Sequence, residues 1–220
     1  MISTIKKSLI LAIFLSSCSS IERGLPMYSY GFKQIKESFF SLNSIVVDEN
    51  YLKETQYAFI RIRFGRSRSI IAVLVREKQN ILEWVSQDGV KLYTYHGKVI
   101  RTDGLPNDIE YFNFSSFKED IFLEKDDSYI VSYYEPQLLD QTVVLKFRNQ
   151  GKIDISNPIS GRKPIETELI EESIYLPSIN WKRKNKYYYN KDGIIEKTLQ
   201  HIHPFLSPIE IEFIKKYKIK

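Results

Sequence analysis

The chain has 220 residues, of which 43% are hydrophobic and 14% aromatic, and its 32 basic and 27 acidic side chains give a formal net charge of +5. This length suits one domain, or at most two small ones, and the apolar content is ample for a packed core. A single cysteine excludes an internal disulfide. The basic excess is modest and scattered, except at residues 182–184 and at the C-terminal lysines.

The first 17 residues have the pattern of a secretory signal peptide. Lys6 and Lys7 precede a short apolar run at residues 9–15, and two serines follow it. The apolar run is far shorter than the roughly 20 residues that a membrane-spanning helix needs. We therefore expect residues 1–17 to be removed on export, and export excludes nucleic acid as a partner.

The only cysteine, Cys18, lies where this leader ends. The order Leu15-Ser16-Ser17-Cys18 resembles the lipobox of bacterial lipoproteins. That resemblance implies a diacylglyceryl thioether and a palmitate-type acyl chain on the new amino terminus, and two or three chains make a durable anchor where one does not. Ser19, in place of an aspartate, favours the outer membrane of a Gram-negative bacterium, with the protein facing the periplasm. The alternative is an ordinary signal peptide followed by a free thiol.

After the leader, residues 18–27 are interpreted as a lipidated tether and residues 28–220 as a single β-rich periplasmic domain. The domain begins with a predicted amphipathic helix, because apolar residues recur at spacings of four, three, four and three. This apolar stripe, which we expect to pack onto a sheet, consists of Tyr28, Phe32, Ile35, Phe39 and Leu42.

Beyond this helix the patterns are those of β-strands. In residues 57–64, Ile60 and Ile62 alternate with Arg61 and Arg63, and residues 69–77 are apolar on both faces, as in a strand covered on both sides. Residues 81–102 predict three strands joined by turns at residues 87–89 and 96–97.

Further strands and turns are predicted along the rest of the chain. The strands are expected at residues 129–135, 142–148, 166–175, 184–190, 194–200 and 208–214, with turns at residues 149–151 and 192–193 and a loop or short helix at residues 115–127. One helix followed by many short strands with regular turns predicts a mainly β, antiparallel domain.

No recognisable enzyme motif is present, and we expect no enzymatic activity. The sequence has no GxSxG, no HExxH and no phosphate-binding glycine loop. The adjacent acids Glu171 and Glu172 would lie on opposite faces of a strand, unlike the facing carboxylates of a glycosidase. His201 and His203 would share a face if the strand continued, but no neighbouring ligand completes a metal site. We therefore expect no metal and no cofactor.

One group of residues is a candidate binding surface. Trp84, Ser86 and Asp88 are spaced by two, so an extended strand would place an indole, a hydroxyl and a carboxylate on one face that suits a sugar. Arg101 completes this candidate surface. Alternatively, Trp84 belongs to the core, while Ser86 and Asp88 bind backbone donors at the following turn. Residues 182–184 either contact anionic headgroups or an acidic polysaccharide, or form a solvated loop.

Residues 83–105 read EWVSQDGVKLYTYHGKVIRTDGL and resemble the central signature of the YjbF/GfcB (YmcC) family of bacterial lipoproteins. The residues that carry this resemblance are Trp84, Ser86, Asp88, His96, Gly97, Arg101, Thr102, Gly104 and Leu105. Residues 185–200 are similar to a hairpin of the family and residues 208–217 to its closing strand. Asn190 departs from the pattern, since an acid is usual there, although an asparagine can still cap a turn.

The resemblance implies a large antiparallel sheet, curled towards a barrel, with one N-terminal helix against it. It further implies a non-enzymatic accessory lipoprotein of exopolysaccharide or group 4 capsule secretion. An outer-membrane β-barrel protein, a periplasmic capsule protein and the polysaccharide itself are the expected partners. Two alternatives stay open: a polysaccharide-modifying enzyme, and a carrier of a lipid or lipid-linked glycan. The carrier would need an apolar concave face lined by residues such as Phe59, Trp84 or Tyr93.

Overall fold

A computed structural model of the chain describes residues 47–112, 125–134 and 137–216. The predicted leader, Cys18, the tether and the amphipathic helix of residues 28–42 lie outside the described residues, as does most of the loop predicted at 115–127. No helix within the described residues is long and apolar enough to cross a bilayer.

The described residues contain one short α-helix and twelve β-strands. The helix is α1 (Glu49–Glu54). The strands are β1 (Phe59–Phe64), β2 (Ile70–Lys78), β3 (Ile81–Ser86), β4 (Lys91–Tyr95), β5 (Lys98–Asp103), β6 (Ile109–Phe112), β7 (Lys125–Tyr133), β8 (Leu138–Ile155), β9 (Ile165–Leu176), β10 (Trp181–Tyr189), β11 (Ile195–Gln200) and β12 (Ile209–Lys215). Each strand pairs antiparallel with the next, and β12 pairs with β1, so the sheet closes into a barrel. The prediction of a mainly β, antiparallel fold is confirmed.

Alternation along β1 separates the inside of the barrel from its outside. Ile60 and Ile62 are fully buried, and Ile62 lies between Ile70 of β2 and Ile211 of β12. Arg61 points outward, and its Nε lies 2.6 Å from the Glu212 carboxylate on β12. A period of two therefore places the apolar side chains inside and the charged ones outside, as the sequence predicted.

A small second core lies outside the barrel, against β1 and β12. It is a cluster of the buried side chains Val47, Phe59, Ile159 and Ile214. The Asp48 carboxylate caps α1 by accepting the Tyr51 N–H at 2.8 Å. At the other end of α1, the Lys215 ammonium donates to the Leu52 carbonyl at 3.1 Å. A basic group near helix C-terminal carbonyls is favourable, so β12 holds the helix in place.

This outer core explains why only part of β2 is covered on both sides. Ile71 and Val73 pack against the cluster, whereas Val75, two residues further along, is 55% exposed. The expectation of a strand covered on both sides therefore holds for the first half of β2 alone.

The turn predicted at residues 149–151 is a β-bulge within one long strand. β8 runs without a break from Leu138 to Ile155, and its register against β9 shifts between Asn149 and Lys152. Gly151 has a φ of +85°, and its N–H donates to the Asn149 side-chain oxygen at 2.8 Å. The same Asn-x-Gly chemistry serves a turn or a bulge, and here the pairing with β9 continues on both sides of it.

Two further differences concern the region before β8. β6, whose Ile109 and Tyr111 are buried, was not predicted, because four residues give little periodic signal. β7 begins at Lys125, so residues 125–127 belong to a strand and not to the predicted loop.

The barrel is crossed internally near the turn between β4 and β5. Gln200 on β11 accepts the Val99 N–H at 2.9 Å and donates to the Gly97 carbonyl at 2.8 Å. Gly97 has a φ of +84°, and a β-carbon there would lie 2.8 Å from the Ile195 side chain. Strands β5 and β11, which are not neighbours in the sheet, are therefore joined directly across the interior.

Candidate functional site

The most concentrated polar chemistry in the described residues lies inside the barrel, around Glu172 of β9. This carboxylate accepts a hydrogen bond from the Lys98 ammonium of β5, and others from the Asn185 amide and the Tyr187 hydroxyl of β10, both at 2.7 Å. Gln200, 3.4 Å from the Tyr187 hydroxyl, completes the group. We call these five residues the interior polar cluster.

Strand alternation explains how Glu172 reaches this position. Its neighbour Glu171 faces outward, where its carboxylate lies 2.7 Å from the Lys184 ammonium. The two adjacent acids therefore lie on opposite faces of β9, as the sequence predicted, and they cannot act together on one substrate.

Burial shifts the pKa values of the groups around Glu172. It lowers the pKa of Lys98, while the charge of Glu172 partly opposes this shift. Burial and the same carboxylate raise the pKa of Tyr187 well above its usual value, so the phenol stays protonated and donates. In Tyr111, whose ring lies 5.0 Å from the Lys98 ammonium, burial is likewise the main cause of a raised pKa.

This arrangement favours a structural role for the interior polar cluster. A buried charge must be compensated by a partner and hydrogen bonds, and Glu172 has both. Three donors occupy the carboxylate, and both it and Lys98 are withdrawn from solvent. The cluster ties β5, β9, β10 and β11 together across the interior of the barrel.

A second polar group lies at the end of the barrel where β7 and β11 terminate and β10 begins. His203 is buried in the connection that follows β11, with its ring 5.0 Å from that of Tyr133. Its Nδ1 accepts the Phe205 N–H at 3.1 Å, so the neutral ring carries its proton on Nε2. Burial lowers the pKa of His203 to about 4. The buried polar atoms His203 Nε2, Tyr133 OH and Trp181 Nε1 have no hydrogen-bond partner among the described residues.

The two histidines do not form a common site. β11 ends at Gln200, so neither His201 nor His203 lies in a strand. His201 is turned towards β10, with its Nδ1 3.1 Å from the Lys184 carbonyl. Within the parts of the chain that the structure describes, no three His, Cys, Asp or Glu side chains are grouped as metal ligands.

The four residues of the predicted binding surface are separated in the structure. Trp84 is buried inside the barrel, where its N–H donates to the Thr94 hydroxyl at 2.8 Å. The Ser86 hydroxyl binds the Asp88 carboxylate at the β3–β4 turn. Arg101 lies on the outside, over the Tyr93 ring at 5.3 Å. Trp84 is thus a core residue, as in the alternative interpretation, and it has no exposed face on which a sugar could stack. The Ser86 hydroxyl also lies 3.2 Å from the Val90 carbonyl, a backbone acceptor and not the backbone donor of that interpretation.

The signature residues therefore shape turns and core contacts. His96 and Gly97 form the β4–β5 turn with φ values of +47° and +84°. After β5, Asp108 accepts hydrogen bonds from the Thr102 hydroxyl at 2.7 Å and from the Gly104 N–H at 3.0 Å. The same carboxylate accepts the Leu105 N–H at 3.0 Å. Asp108 is not part of any motif named above, although an acid beside a Gly-containing turn is a recognisable signal.

Asn190 caps its turn in the manner expected of an asparagine. Its side-chain oxygen accepts the N–H groups of Asp192 at 2.9 Å and Ile194 at 3.0 Å, and its amide donates to Glu196 at 2.7 Å. The replacement of the usual acid thus leaves the β10–β11 turn intact.

The residues named for an apolar concave face also lie apart. Phe59 belongs to the core outside the barrel, whereas Trp84 lies inside it. Tyr93 is on the outer surface, with its hydroxyl 3.3 Å from the Glu83 carboxylate. These three side chains do not line one surface, and the interior polar cluster places charged and hydrogen-bonding groups between β5 and β9.

Comparisons with known proteins identify one family. The family model described as group 4 capsule polysaccharide lipoprotein gfcB, YjbF matches residues 32–214. The uncharacterized lipoprotein GfcB of Escherichia coli (strain K12) is 25% identical over 100 residues, which cover 46% of this chain and 44% of that relative. The match thus spans less than half the length of that relative.

A solved structure shows the same fold. The crystal structure of the hypothetical lipoprotein YmcC from Escherichia coli (K12) superposes with a TM-score of 0.66 and 18% sequence identity, covering 84% of this chain and 96% of the other. At this identity the likeness concerns the fold alone. The resemblance predicted from residues 83–105 is confirmed by the family match.

Proposed function

Because the chain belongs to the family of group 4 capsule polysaccharide lipoproteins, GfcB/YjbF, we propose that it is a non-enzymatic accessory factor in the secretion or assembly of a capsule or exopolysaccharide. The observation that carries this proposal is the family match over residues 32–214, which includes nearly the whole β domain. Cys18 is the proposed lipid attachment site, and the outer membrane, with the protein facing the periplasm, is the proposed location.

The character of the barrel interior supports a role without catalysis. The Glu172 carboxylate in the interior is occupied by three donors, Lys98, Asn185 and Tyr187. A general acid or base must be within hydrogen-bonding reach of a substrate, and this group is fully buried. The proposed active parts of the protein are therefore its anchor and its outer surface.

The same interior argues against a carrier of lipid or lipid-linked glycan. An acyl chain requires a continuous apolar lining, because holding charged groups beside it away from water carries a large desolvation cost even when they are paired. The ion pair between Lys98 and Glu172 and the crossing through Gln200 interrupt any such lining. The proposed partners are an outer-membrane β-barrel protein, a periplasmic capsule protein and the polysaccharide.

Deletion of the gene tests the proposed function. Secreted and cell-bound polysaccharide would be quantified in the deletion strain, with and without a plasmid carrying the wild-type gene. We expect secretion to be lost on deletion and restored by the plasmid. Unchanged secretion in the deletion strain, under conditions in which the polysaccharide is made, would overturn the proposal.

A further inference from the structure

Three neighbouring strands bring five basic side chains to one outer face of the barrel. On β10 these are Lys182, Lys184 and Lys186, and the register of the sheet places Lys146 and Arg148 of β8 on the same face. We call these five residues the basic face. They are far apart in sequence, so only the pairing of β8 and β10 with β9 brings them together.

The register gives the basic face a regular geometry. Ser173 of β9 lies between Lys146 and Lys184, and Glu171 lies between Arg148 and Lys186. Alternate residues of a strand are about 6.6–6.8 Å apart, and two strand spacings separate the β8 and β10 rows by about 9–10 Å. The cations therefore form two parallel rows along the strands.

The central strand places other polar and aromatic groups between these rows. The Lys182 ammonium lies 4.8 Å from the centre of the Tyr175 ring, and the Lys184 ammonium, on a side chain that is 65% exposed, lies 2.7 Å from the Glu171 carboxylate. Ser173 adds a hydroxyl. Three of the five cations belong to β10, so the positive charge of the face is greatest along that strand.

We propose that the basic face binds an anionic polysaccharide chain, a proposal that rests on the proposed function and names its ligand class. Rows of cations attract carboxylate or phosphate groups repeated along a polymer. Between the rows, Ser173 and Glu171 provide partners for sugar hydroxyl groups, and the Tyr175 ring provides an aromatic surface.

Two observations favour a glycan over an anionic bilayer at this face. Among the described residues, none of the large apolar side chains that are exposed belongs to β9 or β10. Insertion of such side chains normally accompanies the charge when a protein surface binds a membrane. Glu171 would in addition be placed against anionic headgroups, whereas sugar hydroxyl groups would donate to it.

The proposal is tested with the full-length lipoprotein, purified from membranes in a non-ionic detergent. Binding of polygalacturonate, with neutral dextran as the control polymer, would be measured by affinity electrophoresis at low and at physiological ionic strength. The test variant is Lys182→Ala/Lys184→Ala/Lys186→Ala. The matched control, Lys78→Ala/Lys163→Ala/Lys191→Ala, removes the same charge from exposed positions away from the basic face.

We expect wild-type protein to bind polygalacturonate, more weakly as salt is added, and not dextran. The basic-face variant should bind roughly tenfold more weakly, because it loses three charge contacts that each contribute little. The control variant should bind within about twofold of wild type, because salt screens charges that lie outside the contact. Circular dichroism would establish that both variants are folded. Equal losses in the two variants, or absence of polygalacturonate binding by wild type, would overturn the proposal.

The remaining outcomes separate this proposal from its alternatives. Binding to phosphatidylglycerol vesicles that the basic-face variant loses, with polygalacturonate binding unchanged, would assign the face to a membrane and overturn the proposal. The secretion assay is independent: normal secretion in the deletion strain, together with glycan binding in vitro, would refute the proposed function and leave the binding site standing.

Discussion

Replacing Lys98 with methionine would leave the Glu172 carboxylate inside the barrel without its counter-ion. The two side chains are 5% and 0% exposed, so water cannot compensate the remaining charge. Removing one partner of such a pair typically costs about 3–5 kcal/mol. Asn185 and Tyr187 would go on donating to Glu172, which places the expected loss near the lower limit, about 3 kcal/mol in the free energy of unfolding.

Urea unfolding followed by tryptophan fluorescence measures this loss, because Trp84 and Trp181 are both buried. Lys98→Met should lower the midpoint without changing the denaturant slope. Adding Glu172→Gln should cost less than the sum of the single changes, with a coupling energy of about 1–3 kcal/mol. Lys152→Met is the control, since Lys152 and its partner at 2.9 Å have side chains that are 77% and 63% exposed.

The control variant should unfold at the same urea concentration as wild type, because exposed ion pairs contribute little. Equal midpoints for Lys98→Met and Lys152→Met would refute the structural role assigned to the interior polar cluster. So would strict additivity of the Lys98 and Glu172 changes.

Three further predictions concern single residues. The pKa of His203 is about 4 in the folded protein against about 6.5 when unfolded, so stability should be full above pH 6.5 and fall by about 2–3 kcal/mol as the pH drops towards 4, because only the unfolded state takes up the proton. Asp108→Ala leaves three donors without their acceptor and should cost about 1–3 kcal/mol in urea unfolding. Gly97→Ala should lower the thermal midpoint more than Gly193→Ala, since both have positive φ but only the Gly97 β-carbon would contact another side chain.

Each of these has its own check. The free energy of unfolding of His203→Gln should be the same at pH 6.5 and at pH 5. If it instead changed with pH as much as that of wild type, the pH dependence would belong to other groups. For Asp108, an unchanged urea midpoint would show that water replaces the carboxylate at no cost. Equal thermal midpoints for the two glycine variants would contradict the close approach of the β4–β5 turn to Ile195.

Local patterns in the sequence predicted the parts of the fold that depend on neighbouring residues. The alternation of Ile60 and Ile62 with Arg61 and Arg63 gave β1 and its two faces, because a strand has a period of two whatever its partners. The turn at Gly97 was likewise predictable, since few residues adopt a positive φ without strain.

Features that depend on long-range pairing could not be predicted in this way. The Asn149–Gly151 stretch suits a turn or a bulge, and only the continued pairing of β8 with β9 decides between them. Lys98 and Glu172 are 74 residues apart, and no local pattern indicates that they meet. The even spacing of Trp84, Ser86 and Asp88 predicted that they share a face of the strand. It did not indicate that this face points into the barrel at Trp84.

The basic face illustrates the same limit for function. Residues 182–184 were visible as a charged run, but in a strand they alternate, so Arg183 faces away from Lys182 and Lys184. Their companions Lys146 and Arg148 belong to β8 and join them only through β9. A surface built from three strands has no compact sequence motif.

The most direct test of the central claim compares anchored and unanchored protein in the deletion strain. Secreted polysaccharide would be quantified in cells producing equal amounts of wild-type protein or of Cys18→Ala protein with a cleavable leader that releases it into the periplasm. We expect wild type to restore secretion, and we expect the unanchored variant, although folded, not to restore it. Full secretion with the unanchored variant, or in the deletion strain itself, would contradict a membrane-anchored role in polysaccharide export.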